Sequence, residues 1–152
     1  MGTKMDELAA ELSRIEWHYA DGDPTAKAEL ARRISAAGRR LQLITYSDLV
    51  RGITFRLPNV HNGAPFQIET DDWTGLDRAI LGDFLGAISS DSYREAGFLA
   101  TAIVVNKAEY KPSDQFFKWM GDLGVLPDMR EDTVLAFWAD QVNKAHNWYR
   151  NH

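Results

Sequence analysis

The stretch from Thr70 to Lys107 constrains this chain more than any other, because it joins a capped amphipathic helix to the most apolar run in the sequence. Thr74 stands at the N-cap position with Asp77 three residues on, so the two can exchange capping hydrogen bonds. Leu76, Ile80, Phe84 and Ile88 then recur every four residues, and Leu81 and Leu85 widen the stripe. Gly82 and Gly86 lie four apart on one side of that helix. Two glycines inside a helix weaken it, so their presence predicts close approach of a neighbouring backbone. Ser89 to Ser92 predicts a short helical turn closed by Gly97. Phe98 to Val105 predicts a buried strand from its length, apolarity and β-branching.

The rest of the chain reads as cover for this unit. Helix one is expected over about Lys4 to Tyr19, with Met5, Leu8, Leu12, Ile15 and Tyr19 spaced alternately by three and four, a narrow packing seam. Asp23-Pro24 starts a second helix that runs to about Ala37, with Leu30 and Ile34 inward and Gly38 ending it. Thr45 and Asp48 predict a short helix closed by Gly52. Alternation in Ile53–Leu57 and again in Phe66–Glu69, around Asn62-Gly63, predicts an antiparallel hairpin. Ser113 can cap a helix to Leu123. A last helix near Arg130 to Tyr149 repeats the seam spacing through Leu135, Trp138, Val142, Ala145 and Tyr149. The expected fold class is α+β and predominantly helical. One domain spans 1–152, comprising an N-terminal helical pair (1–43), a centre (44–107) and C-terminal helices (108–152).

Helix, short helix, hairpin and helix-strand follow the order of a winged-helix-like centre with a small antiparallel sheet, flanked by the N- and C-terminal amphipathic helices. Ile44-Thr-Tyr-Ser-Asp-Leu49 resembles the entry of alkyltransferase-like winged-helix domains. The later pattern ILGDFLGAIS, FLATAIVVNK and QFF resembles a group of small bacterial and phage proteins of unknown function, over about the central half of the chain. The alkyl-acceptor motif Pro-Cys-His-Arg has no counterpart. The equivalent place reads Ile103-Val-Val-Asn106 and the chain has no Cys, which excludes alkyl transfer by that route.

Charge divides the chain unevenly. Arg32, Arg33, Arg39, Arg40, Arg51 and Arg56 face only Asp48 between Ala31 and Arg56, a net +5 within a chain of net −5. Such a segment can mark an anion-binding face or can pair with the protein's own acids. A recognition helix from Thr74 would present Asp77, Arg78 and Asp83, the wrong sign for phosphates. Nucleic acid, if bound, is therefore expected on the arginine segment. Absence of Cys also removes disulfides and thiolate metal sites and fits a cytoplasmic protein. The first residues lack the apolar core of a secretory signal, and no run approaches the ~20 apolar residues of a membrane span.

Chemistry-bearing groups are sparse. Glu109-Tyr-Lys111, with Asp91 upstream, matches the E-x-K half of a metal-dependent nuclease pattern. Glu69, Asp71, Asp72 and His61 could offer oxygen and nitrogen ligands to a cation, while turn and helix-cap chemistry accounts for the same residues. His18 and His146 lie on the terminal helices. The expectation is a non-enzymatic interaction or regulatory module acting through protein–protein contacts, with no cofactor, metal or catalytic residue assigned and no membrane partner. A homodimer through the two seams is expected, with Leu8, Leu12, Ile15, Trp138, Trp148 and Tyr149 as interface. A nucleic-acid-binding regulator and a metal-dependent nuclease are the alternatives.

Overall fold

The computed structural model describes residues 3–152, with the side chains of residues 3–6 and 9, Met5 among them, outside the description. In chain order the elements are α1 (Thr3–Ser13), α2 (Pro24–Arg39), β1 (Ile44–Thr45), α3 (Tyr46–Val50), α4 (Gly75–Ala96), β2 (Val104–Val105), α5 (Asp114–Asp122) and α6 (Glu131–Asn151). The described residues are mostly helical, and their one sheet is the parallel pair β1–β2, with Ile44 opposite Val104 and Thr45 opposite Val105. The expected winged-helix-like centre with an antiparallel hairpin is therefore corrected.

Why the hairpin shrinks can be read from its hydrogen bonds. Phe55 and Phe66 exchange both backbone bonds, at 2.7 and 2.9 Å, and form an isolated antiparallel bridge. Beyond that pair the ladder has nowhere to go. The Arg56 N–H donates to the Asp23 carboxylate at 2.7 Å, and Pro58 and Pro65 supply no N–H. The alternating residues Ile53, Phe55 and Leu57 still serve the core, where all three are buried.

α4 is one continuous helix. Thr74 and Asp77 form the capping box at 3.0 Å in both directions, and Gly97 closes the helix in the left-handed region at φ 76°. The serine cluster does not open a separate turn. It lies on the buried side of α4 and feeds the segment read as a strand. Ser89 Oγ accepts from Thr101 N, Ser92 Oγ accepts from Ala100 N, and Gln141 of α6 accepts from Leu99 N at 2.9 Å. With those N–H groups satisfied by side chains, Ala100–Ile103 coils as a 3₁₀ turn and only Val104–Val105 remains strand.

Two apolar clusters fill the interior. The larger joins α2, α3 and α4 around Leu30, Ile34, Leu49, Phe55 and Phe84. The smaller lies under α5 and α6 around Leu99, Phe117, Met120 and Leu126. α6 crosses α2 closely at Gly38, where a Cβ would stand 2.3 Å from the Tyr149 ring. Gly38 is thus a packing residue and not the helix stop. That role falls to Leu41, which takes φ 55° while Gln42 N–H reaches back to the Ala37 carbonyl at 3.0 Å. α1 ends earlier than its spacing suggests, at Ser13, and Ile15 to Tyr19 cross to α4 outside any helix. Asp83 of α4 receives that crossing, accepting the N–H groups of Tyr19 and Ala20 at 2.8 Å each.

Candidate functional site

An open cleft of about 840 Å³ lies beside the first half of α4. It opens at the carboxyl ends of both parallel strands, because Thr45 ends β1 and Asn106 follows β2. That end of a parallel sheet is where chains diverge into loops and ligands are usually held. α5 forms one flank of the cleft through Phe116, Lys118 and Trp119. The opposite flank carries Tyr46, Ser47 and Trp73.

Local sequence explains how these walls are set. Thr45 caps α3 by accepting from Asp48 N at 3.1 Å, which fixes Tyr46 and Ser47 at the rim. The Tyr46 hydroxyl accepts from Ser113 N at 2.9 Å and so ties the start of α5 to α3 across the sheet. Asn106 organises the loop after β2. Its carbonyl accepts from Tyr110 N, and its Oδ1 accepts from Glu109 N at 2.6 Å. The Asn106 amide group has no partner among the described residues.

Three tryptophans line the cleft. Trp17, on the link after α1, lies against α4 at Gly86, where a Cβ would come within 2.5 Å of its ring. It meets Trp119 edge to face, with centroids 6.1 Å apart at 88°. Trp73 reaches Ser47 Oγ at 3.4 Å. Gly82, one turn before Gly86, also lines the cleft, yet among the described residues a Cβ there would meet nothing within 4 Å. The twin glycines therefore separate: Gly86 seats a tryptophan, and Gly82 faces open space.

The electrostatics of the cleft differ from those of the chain as a whole. Arg78, Lys107 and Lys118 line it against Asp122 as its only acid, and none of the three cations is in an ion pair among the described residues. A locally positive, ring-lined cleft in a chain of net −5 is suited to a planar or anionic group.

The arginine segment is placed elsewhere, and half of its arginines are committed to partners within the chain. Arg32 and Arg33 both bond Glu29, at 2.6 to 3.1 Å, and hold its carboxyl down at a pKa of about 2, the Arg32 hydrogen bond being the larger cause. Arg33 also donates to the carbonyls of Leu49 and Arg51 at 2.9 and 2.7 Å, closing the end of α3. Arg51 pairs with Asp48. Arg39, Arg40 and Arg56 are exposed and make no ion pair among the described residues.

The seam residues are placed inside the chain to differing degrees. Leu8 and Leu12 are buried, and Ile15 is half-buried. Trp138 donates through Nε1 to the Ala102 carbonyl at 2.8 Å, and Trp148 and Tyr149 pack on Phe98. Burial is the main cause that lifts the Tyr149 hydroxyl to a pKa of about 12. Glu109 and Lys111 pair with each other at 3.2 Å in the loop after β2, while Asp91 on α4 pairs with Lys27 and Arg94. His61 packs on Phe66, and Glu69 accepts from Asp71 N at 3.4 Å. Among the described residues no three His, Asp or Glu side chains are gathered to hold a metal ion. No described helix is long and apolar enough to cross a membrane.

Sequence reasoning missed Trp17, Trp73, Trp119, Arg78, Lys107 and Lys118 as one site. They come from four separate stretches, at Trp17, Trp73 to Arg78, Lys107 and Lys118-Trp119, and no spacing links these stretches. Gly82 was the available signal, since a mid-helix glycine requires a reason. No known protein family, curated protein or solved structure matches the chain.

Proposed function

We propose that this chain is a non-enzymatic binding module, regulatory in use, whose working surface is the cleft beside α4. The observation that carries this reading is Gly82. An exposed glycine within a helix costs about 1 kcal/mol relative to alanine. Where a neighbour fills the space, as Trp17 does at Gly86, packing can offset that cost. At Gly82 nothing in the described chain approaches. An occupant from outside supplies the missing reason, and the surrounding rings and unpaired cations indicate its kind. Rings, cations and amides are equipment for recognition, which is why a binding role is preferred to a reaction.

Occupancy can be tested with 8-anilino-1-naphthalenesulfonate, a planar aromatic anion. One molecule of dye per chain is expected to bind, with blue-shifted emission. Gly82→Leu projects a side chain into open space, so its thermal melt should not fall, while dye affinity should drop roughly tenfold or more. Unchanged dye binding in a folded Gly82→Leu protein, or no dye binding by the parent, would defeat the proposal.

A further inference from the structure

We infer that the occupant of the cleft is a free nucleotide, an inference that rests on the cleft being the binding surface. Its volume of about 840 Å³ falls in the usual size range of small-molecule sites. The rings favour a flat partner. Trp17 is fixed on Gly86 and stands at right angles to Trp119, so together they offer indole surface in two orientations. Base stacking on aromatic side chains tolerates any base and is a main source of binding where no sequence is read.

The cations specify what the flat group carries. Arg78, Lys107 and Lys118 come from α4, the loop after β2 and α5, and they share a cleft whose only acid among the described residues is Asp122. Three separate elements thus bring unpaired positive charge to one place, which a neutral sugar or a plain nucleoside would leave unanswered. A phosphate answers it through charge-assisted hydrogen bonds. The free Asn106 amide, together with Gln115 at the rim, can meet the polar edge of a base. A long strand is the poorer fit. The chain as a whole carries −5, so a polyanion extending beyond the cleft meets repulsion that a single nucleotide avoids.

Calorimetry on the full chain decides the matter, using the four ribonucleoside 5′-monophosphates, their nucleosides and a decamer of deoxythymidine. At least one monophosphate should bind one-to-one and displace the naphthalenesulfonate dye, with its nucleoside about tenfold weaker. Lys107→Ala and Lys118→Ala should each weaken the monophosphate several-fold and flatten its salt dependence, with unchanged melting because both side chains are exposed. If the dye binds and no nucleotide competes, the nucleotide is wrong and the cleft stands as a site for another aromatic anion. If neither binds, both readings fail. Equal binding of nucleoside and nucleotide removes the role of the cations, and tighter binding of the decamer replaces the free nucleotide with a single strand.

Discussion

The outer end of α2 and the first half of α4 are built from the same materials, and they use them differently. Each has a helical glycine, aromatic rings and basic side chains. On α2 most of these are answered within the chain: Tyr149 fills the space over Gly38, Glu29 holds Arg32 and Arg33, and Arg33 closes α3. Beside α4, Trp17 fills Gly86, but among the described residues Gly82 stays open and Arg78, Lys107 and Lys118 make no ion pair. The first region is a joint and the second is a cleft. Arg39 and Arg40 at the end of α2 make no ion pair among the described residues either, so what distinguishes the cleft is unpaired charge beside tryptophan rings and an unfilled glycine.

The largest effect that separates them belongs to Gly38→Ala. The new methyl would stand 2.3 Å from Tyr149 Cδ2 and 2.8 Å from its Cβ, so α6 itself must shift. A loss of about 3 kcal/mol is expected, at the upper end for overpacking, measured by urea denaturation. Dye binding in the cleft should persist under native conditions. A neutral Gly38→Ala would mean that the α2–α6 contact is looser than a joint requires.

Arg33→Ala comes next. It strips charge-assisted bonds from two carbonyls at the end of α3 and releases Glu29, so about 2 kcal/mol of stability should be lost. Lys118→Ala is its counterpart in the cleft, where stability should move by less than about 0.5 kcal/mol. If Arg33→Ala were silent in urea while Lys118→Ala destabilised, the assignment of joint and cleft would be reversed.

Local pattern carried the helices of this chain and misjudged its sheet. Asp23, Thr45 and Thr74 are caps in the structure as their positions imply, because capping depends on residues three apart. Apolar alternation in Ile53–Leu57 and the run Phe98–Val105 report burial, and burial alone does not specify a ladder. What decided those segments lies far off in sequence: Asp23 takes the Arg56 N–H, and Gln141 takes the Leu99 N–H. The cleft was illegible for the same reason. Its rings and cations converge only after folding, and the glycine pair gave a single local hint whose two members turned out to have different explanations.

Gly82→Ala tests that difference with a smaller, favourable effect. Its methyl meets nothing, so the helix should gain about 0.8–1 kcal/mol, read as a higher urea midpoint. The same change at Gly86 should not stabilise, since its methyl would strike the Trp17 ring. Equal gains at both positions would show that Trp17 moves aside easily and that Gly86 is no seat.

The smallest effect concerns Glu29, whose pKa is held near 2 against an ordinary 4.5, mainly by the Arg32 hydrogen bond and then by Arg33. A carboxyl with a lowered folded pKa stabilises the fold fully above its unfolded value and loses that contribution as pH falls. The pair's contribution should therefore be complete above about pH 4.5 and fade as pH drops through about 2. Glu29→Gln should be slightly less stable than the parent in urea at pH 7, with the gap narrowing across that window. The same variant also frees Arg32 and removes an acidic partner from Arg33, adding unpaired charge to α2 without touching the cleft. If unpaired cations alone made a binding surface, nucleotide or dye binding should rise on α2 in this variant. Unpaired charge beside tryptophan rings and an unfilled glycine is the stricter condition, and under it Glu29→Gln binds the dye as the parent does.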